Sequence, residues 1–131
     1  MAIYEADSRT PSSVADAEVF SLAEALERVE GDSDLLKEMA DLFLDEVDNM
    51  VKEIEQAIAA GDPGALQHAA HTLKGAVSNF AAHAATEASF ALEKMGRRQD
   101  LAQTAAALAA LKSELARLTP ALTALKTKDA A

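Results

Sequence analysis

The chain has 131 residues, a formal net charge of −10 and no cysteine. Its length fits a single domain. The excess of acidic residues disfavours nucleic acid and anionic membrane surfaces as partners, because proteins bind both through Lys and Arg. The lack of cysteine excludes a disulfide framework, a thiolate nucleophile and a cysteine-ligated metal site.

The composition favours an all-α protein. Half of the residues are apolar, and there are only three Pro, five Gly and few aromatic residues. No apolar run approaches the roughly 20 residues of a membrane span, and the first 13 residues lack the apolar segment of a secretory signal. We therefore predict a cytoplasmic protein without membrane insertion, in which residues 1–17 form a flexible N-terminal arm.

A short first helix is predicted over about residues 21–29. Ser21 is its predicted N-cap, and Glu24 follows three residues later in the pattern of a capping box. Gly31 is expected to end this helix, because glycine readily adopts the left-handed conformation found after helix C-termini.

A long second helix is predicted to begin at Asp32 or Ser33, either of which can cap it, and to reach about Ala60. Its apolar residues recur at helical spacing and predict one buried stripe. The members of this stripe are Leu35, Met39, Leu42, Phe43, Val47, Met50, Val51, Ile54 and Ile58. The opposite, acidic face is interpreted as a solvated surface.

The third helix begins after a sharp turn. Gly61 is expected to end the second helix, Asp62 to cap the third and Pro63 to occupy its first position, where no amide hydrogen is needed. The link is so short that the second and third helices should pack as antiparallel neighbours. The third helix is predicted to reach about Ala82.

Two more helices complete the pattern. The fourth is predicted over about residues 84–95 and ends at Gly96, residues 97–99 form a link, and Asp100 caps the fifth. Pro120 lies inside the fifth helix and predicts a kink near Ala116. The fifth helix carries a heptad-like seam of Leu101, Thr104, Leu108, Leu111, Leu115, Leu118, Leu122 and Leu125.

These elements predict an antiparallel up-down four-helix bundle, with the short N-terminal helix covering one end. The bundle domain is expected to span residues 18–127, and residues 128–131 to form a frayed tail.

The middle of the third helix carries the candidate site. At about 100° per residue, one side is apolar and contains Leu66, Ala70, Leu73, Val77 and Phe80. The other side contains Gly64, Gln67, His68, His71, Lys74, Gly75 and Ser78. His71 thus points away from the apolar stripe, which predicts a solvent-facing imidazole rather than a core histidine.

An exposed imidazole can act as a neutral nucleophile near pH 7 and accept a phosphoryl group. Lys74, one turn further on the same face, can offset the charge of phosphoryl oxygens. Gly75 carries no side chain to hold a partner backbone away, although a glycine inside a helix costs about 1 kcal/mol against alanine. Gln67 and Ser78 flank the site and can hydrogen-bond to the ring or the phosphoryl group, and His68 is expected at its rim.

The run from His71 to Ala76, HTLKGA, resembles the signature of histidine-containing phosphotransfer (HPt) domains. The similarity covers roughly residues 22–125. It includes Gly31-Asp32, Phe43, Gly61-Asp62 and Leu92-Glu93.

The resemblance implies a carrier in a multistep phosphorelay of two-component signalling. His71 would be the phosphoacceptor, Lys74 the cation beside the phosphoryl group and Gly75 the position of close approach. The implied partners are a response-regulator receiver domain, a hybrid sensor histidine kinase, or both. The protein would be a monomer without kinase activity and without a cofactor or metal of its own, because Mg²⁺ belongs to the receiver.

Two positions depart from the family pattern. Ala81 stands where many members have glycine, and an alanine is tolerable there if the turn is helical. Glu93 stands where some members have a polar residue near the histidine. A carboxylate is expected to repel a phosphoryl group, so Glu93 is left out of the predicted site.

Three other functions compete with this interpretation. The dimerisation helices of a sensor kinase would need an ATP-binding domain with glycine-rich motifs, and the sequence contains none. They would also need an acidic residue after the histidine, where this sequence has Thr72. A carboxylate-bridged metal bundle would need Glu three residues before a histidine, and none of the three histidines has it. An adaptor bundle that docks a receiver or kinase without being phosphorylated stays open as the alternative.

Overall fold

The computed structural model describes residues 19–128, apart from the side chain of Lys128. It contains the helices α1 (Leu22–Arg28), α2 (Ser33–Ala60), α3 (Pro63–Ser78), α4 (His83–Arg98) and α5 (Thr104–Lys128). The predicted N-terminal arm and residues 129–131 of the predicted tail lie outside the described residues.

The four long helices pack in a ring. α2 packs against α3, α3 against α4, α4 against α5, and α5 returns to α2. The short α1 lies at one end, where the Ser21 amide donates to the carbonyl of Ala81 in the α3–α4 link (3.3 Å). The prediction of an all-α four-helix bundle with a short extra N-terminal helix is therefore confirmed. None of the helices in the described part is long and apolar enough to span a membrane.

The predicted helix starts are confirmed by their caps. Ser21, Asp32 and Asp62 each accept a hydrogen bond from the backbone amide three residues later, at 3.2, 3.0 and 3.1 Å. Gly61 ends α2 in the left-handed conformation with φ of 63°. These caps satisfy amides that have no partner within the first turn of a helix, and their signals are purely local.

The prediction that α3 reaches Ala82 is wrong, because the helix ends at Ser78. The chain then turns so that Phe80 enters the core, where its ring packs edge to face against Phe43 at 5.7 Å. Ala81 is buried and adopts φ of 54°. The condition of a helical turn at this alanine is thus not met, since Ala81 adopts the left-handed conformation that glycine takes more readily.

The prediction that Gly96 ends the fourth helix is wrong too. α4 continues through Arg98, so both arginines are helical rather than part of a link, and Gln99 ends the helix with φ of 57°. A Cβ atom on Gly96 would lie 2.6 Å from the Gln67 amide nitrogen and 2.6 Å from the Pro63 carbonyl oxygen. Gly96 is therefore the point at which α4 crosses the backbone of α3.

Two members of the predicted α2 stripe are outside the core. The side of α2 that carries Leu35 and Leu42 is open to solvent, and these residues are 41% and 64% exposed. The stripe is wider than the surface that α3 and α5 cover. The core itself contains Leu36, Phe43, Val47 and Ile54 from this helix.

The fifth helix begins later than expected. Asp100 accepts a hydrogen bond from the Ala102 amide (3.2 Å), but this bond closes a turn, and α5 starts at Thr104. The helix continues through Pro120 as far as Lys128. Its leucine seam faces the core, in which Leu111, Leu118 and Leu122 are fully buried. The predicted kink near Ala116 stays a prediction.

Candidate functional site

His71 lies near the middle of α3, on the side that faces away from the core. Its neighbours Ala70 and Leu73 are fully buried, whereas the His71 side chain is 64% exposed. The 3.6-residue period of the helix produces this separation. The imidazole is thus presented at the surface by a helix whose other face is anchored in the bundle.

A buried carboxylate from the neighbouring helix meets this imidazole. Glu93 of α4 is only 4% exposed, and its Oε2 lies 3.1 Å from His71 Nδ1. Glu93 precedes Gly96 by three residues, so the close crossing of α3 and α4 brings the carboxylate within reach of the ring. Glu93 belongs to the site, and its omission from the predicted set is corrected here.

Two cations offset the negative charge of Glu93, which was expected to repel a phosphoryl group. Lys74 Nζ lies 2.8 Å from Glu93 Oε1, and Arg97 Nη2 lies 3.1 Å from Oε2. Burial by itself would raise the pKa of the Glu93 carboxyl. Hydrogen bonds and positive charge from Lys74 and His71 outweigh burial and hold this pKa below its ordinary value of 4.5. Glu93 is consequently ionised near neutral pH.

The ionised carboxylate determines which ring nitrogen of His71 keeps a free lone pair. A carboxylate can only accept hydrogen bonds, so Nδ1 must be the donor to Glu93. In the neutral imidazole the lone pair then resides on Nε2. Nε2 has no hydrogen-bond partner in the part of the chain that the structure describes. The exposed nitrogen is therefore the one that can attack an electrophile.

Basic side chains, including the two that contact Glu93, gather around the half-buried ring of Phe90. The Nζ atoms of Lys74 and Lys94 lie 4.6 and 4.7 Å from the centre of the Phe90 ring, and the Arg97 guanidinium carbon lies 5.9 Å from it. Such cation–π contacts hold charged groups over an aromatic face. A protein of net charge −10 thus presents positive charge beside His71.

The other predicted site residues have different surroundings. Gly75 is exposed, and a Cβ atom placed there would meet no atom within 4 Å. Gln67 lies at the crossing with Gly96. His68 is exposed and lines a shallow pocket that it shares with residues of α2. The Ser78 hydroxyl donates to the Gly75 carbonyl (2.9 Å), within its own helix.

Two residues of this constellation, Glu93 and Arg97, were not identified from the sequence as site residues. The available signal was their spacing on α4, since Glu followed four residues later by Arg is a favourable helical ion pair. Only the packing of α4 on α3 connects this pair to His71.

Within residues 19–128, no three His, Asp or Glu side chains are grouped so that they could hold a metal ion.

Comparisons with known proteins are consistent with this geometry. A sequence model of the family described as Hpt domain matches residues 38–121. Among solved structures, the chain is similar to the HPT domain from the Hpt sensor hybrid histidine kinase from Shewanella, with a TM-score of 0.76 and 20% sequence identity, over 87% of this chain and 98% of that chain. At this identity the likeness shows the fold alone. No curated protein matches the chain. Because the family match covers more than half of its residues, the chain belongs to the Hpt domain family, the histidine phosphotransfer domains of two-component signalling.

Proposed function

We propose that His71 carries a phosphoryl group on Nε2, received from or passed to the aspartate of a response-regulator receiver domain. The observation that carries this proposal is the hydrogen bond from Nδ1 to Glu93, at 3.1 Å. It leaves the Nε2 lone pair free on a side chain that is 64% exposed.

The transfer step needs no proton acceptor on this chain. The Nε2 lone pair attacks the phosphorus of the phosphoaspartate, the Nε2–P bond forms, and the P–O bond breaks with its electron pair passing to the aspartate carboxylate. The imidazole becomes positively charged and keeps its Nδ1 proton. Glu93 accepts a hydrogen bond from that Nδ1–H group and stabilises the charge that develops on the ring. The reverse step returns the phosphoryl group to an aspartate.

Lys74 and Gly75 support the transfer in different ways. Lys74 brings a positive charge to the face of α3 that carries His71 and is held there by Glu93 and Phe90. This charge favours the approach of phosphoryl oxygens. Gly75 lies in open space, so the fold itself does not require a glycine at this position. We assign it to close approach of the receiver backbone.

The receiver is expected to use an apolar groove between α2 and α3. Met39, Leu42 and Phe80 line this groove together with Ala76, the residue after Gly75. Leu42 is the most exposed large apolar residue in the described part of the chain, at 64%. A Leu42→Glu variant should raise the receiver concentration at half-maximal transfer rate without lowering the maximal rate, because it alters docking and leaves the imidazole unchanged.

The chain thereby acts as a carrier rather than as an enzyme with its own turnover. The acidic pocket and the Mg²⁺ ion that assist the chemistry belong to the receiver, and this chain requires no cofactor. We further propose that the carrier acts as a monomer.

The test is incubation with a phosphorylated cognate receiver, followed by measurement of acid-labile, base-stable label on this chain. The wild-type chain should take up label, and His71→Gln should take up none. The matched control is His83→Gln, which removes a histidine outside the predicted site that contacts Glu24 (3.0 Å) and should leave labelling unchanged. Uptake by His71→Gln at the wild-type rate would contradict the assignment.

The same experiment distinguishes the adaptor alternative. A carrier transfers label within the lifetime of its complex with the receiver, whereas an adaptor binds and stays unlabelled. Binding is measured in parallel by titrating the receiver into the chain and recording amide shifts by NMR. Saturable binding of the wild-type chain without label on His71 would favour the adaptor.

A further inference from the structure

We propose that Arg97 is a positioning residue for phosphotransfer, which holds Glu93 against His71 and keeps the imidazole in the tautomer with its proton on Nδ1. This inference rests on the proposed function, in which Nε2 of His71 is the nucleophile.

The first argument is that Arg97 and His71 share one oxygen atom. Glu93 Oε2 lies 3.1 Å from Arg97 Nη2 and 3.1 Å from His71 Nδ1. Glu93 and Arg97 are four residues apart on α4, in the order that favours a helical ion pair. The bond from Arg97 therefore fixes the same oxygen that orients the ring.

The second argument is that Arg97 is itself held in place. Its guanidinium carbon lies 5.9 Å from the centre of the Phe90 ring, while its Nη2 reaches Glu93. An arginine that lies over an aromatic ring and binds a carboxylate loses part of the freedom of an exposed side chain. Although half of the Arg97 side chain is exposed, two contacts determine its orientation.

The third argument is the charge beside the incoming phosphoryl group. Glu93 contributes one negative charge, and Lys74 and Arg97 contribute one positive charge each, so the three groups carry a net charge of +1. Removal of Arg97 would leave a net charge of zero next to His71. Arg97 thus allows a carboxylate to orient the imidazole without making the site repel an anion.

The next residue supplies a matched control. Arg98 is also exposed and carries the same charge, but it forms no hydrogen bond or ion pair within residues 19–128. Comparison of Arg97→Ala with Arg98→Ala therefore separates the contact with Glu93 from the loss of one positive charge on α4.

The kinetic test measures phosphotransfer from a phosphorylated receiver over a range of receiver concentrations. Arg97→Ala should lower the maximal rate by about 10-fold, as expected for loss of one charge-assisted hydrogen bond that orients the reacting group, with an unchanged half-saturating concentration. Arg98→Ala should retain the wild-type maximal rate. A wild-type maximal rate for Arg97→Ala would overturn the proposal. A raised half-saturating concentration with an unchanged maximal rate would overturn it as well, because Arg97 would then be a docking residue.

A second readout does not depend on phosphotransfer. Nitrogen NMR of the His71 ring in the free protein should show mainly the Nδ1–H tautomer in the wild-type chain and in Arg98→Ala, and a mixture of both tautomers in Arg97→Ala. An unchanged tautomer ratio in Arg97→Ala would refute the positioning role even if His71 accepts the phosphoryl group. A changed ratio in a protein whose His71 takes up no label would refute the proposed function and leave the positioning role intact.

Discussion

Substitution of alanine for Gly96 and for Gly75 should have opposite effects on the stability of the bundle. Gly96 lies where α4 crosses α3, and a Cβ atom there would come within 2.6 Å of the Gln67 amide nitrogen and the Pro63 carbonyl oxygen. Gly75 lies on the exposed face of α3, and a Cβ atom there would meet nothing within 4 Å. We expect Gly96→Ala to destabilise the protein and Gly75→Ala to stabilise it.

The magnitudes follow from these surroundings. Non-bonded carbon atoms prefer separations of roughly 3.5–4.0 Å, so the two backbones at Gly96 would have to move apart by about 1 Å. Overpacking of this kind costs about 1–3 kcal/mol, and the better helix propensity of alanine returns at most about 1 kcal/mol. The net loss for Gly96→Ala is therefore about 1–2 kcal/mol. Gly75→Ala has no clash to offset and should gain about 0.5–1 kcal/mol.

The assay is urea unfolding of both variants and the wild-type chain, followed by far-ultraviolet circular dichroism. The two variants should differ by about 1.5–3 kcal/mol in the free energy of unfolding, which is the sum of the two opposite effects. Their m-values should equal that of the wild-type chain, because neither change alters the surface exposed on unfolding. Equal stabilities of Gly96→Ala and Gly75→Ala would refute the reasoning.

The phosphotransfer rates of the same two variants test the geometry of the proposed site. Gly96 separates Glu93 from Arg97 on α4, so a shift of about 1 Å at the crossing should break the hydrogen bond to His71 and slow phosphotransfer by about 10-fold or more. Gly75→Ala should also slow transfer, although it stabilises the fold, because its methyl group would meet the receiver backbone. Wild-type transfer by the Gly75 variant would remove this glycine from the proposed docking site.

Three further predictions concern other parts of the molecule. Lys74→Ala should slow phosphotransfer or shorten the lifetime of the phosphohistidine while circular dichroism shows a folded protein; wild-type transfer together with an unchanged lifetime would exclude Lys74 from the site. Gln99→Gly should raise the free energy of unfolding by about 0.5–1 kcal/mol, because Gln99 has φ of 57°. Its control, Arg98→Gly, changes a helical residue and should lower the free energy of unfolding by about 1 kcal/mol. A lower stability of both variants would argue against strain at Gln99. Glu93 has a pKa held below 4.5 in the folded protein, so its contribution to stability is present above that pH and lost as the pH falls through the folded pKa. Glu93→Gln should accordingly lose less stability than the wild-type chain on acidification below pH 4.5, and parallel stability curves would contradict this.

The start of each of the first three helices could be predicted because the signals are local. Ser21, Asp32 and Asp62 cap helices through a bond to an amide three residues away, and Gly61 ends α2 through its own φ angle. Such interactions depend on a few consecutive residues. The exposed position of His71 was also predictable, because the helical period alone separates it from the buried Leu73.

The helix ends were predicted less well where tertiary contacts override local signals. α3 stops at Ser78 because Phe80 turns into the core against Phe43, and no local breaker marks this point. Gly96 carries a strong local stop signal, yet α4 continues past it. The glycine is there for the approach of another helix, which a one-dimensional pattern does not encode.

The candidate site was likewise predictable from the sequence only in part. The amino-acid sequence by itself determined that an exposed imidazole with a lysine and a glycine one turn away lies on the polar face of a bundle helix, since these residues belong to one continuous helical run. Only the tertiary structure decided which ring nitrogen keeps its free lone pair and would react in the proposed transfer. That choice depends on Glu93, which is 22 residues away along the chain and reaches His71 because Gly96 lets two helix backbones come into contact. From the sequence, Glu93 was left out of the site because its carboxylate was expected to repel a phosphoryl group. The ion pairs with Lys74 and Arg97 offset that negative charge. The charge balance of a buried carboxylate is a property of packed helices, so it becomes visible only when the bundle is assembled.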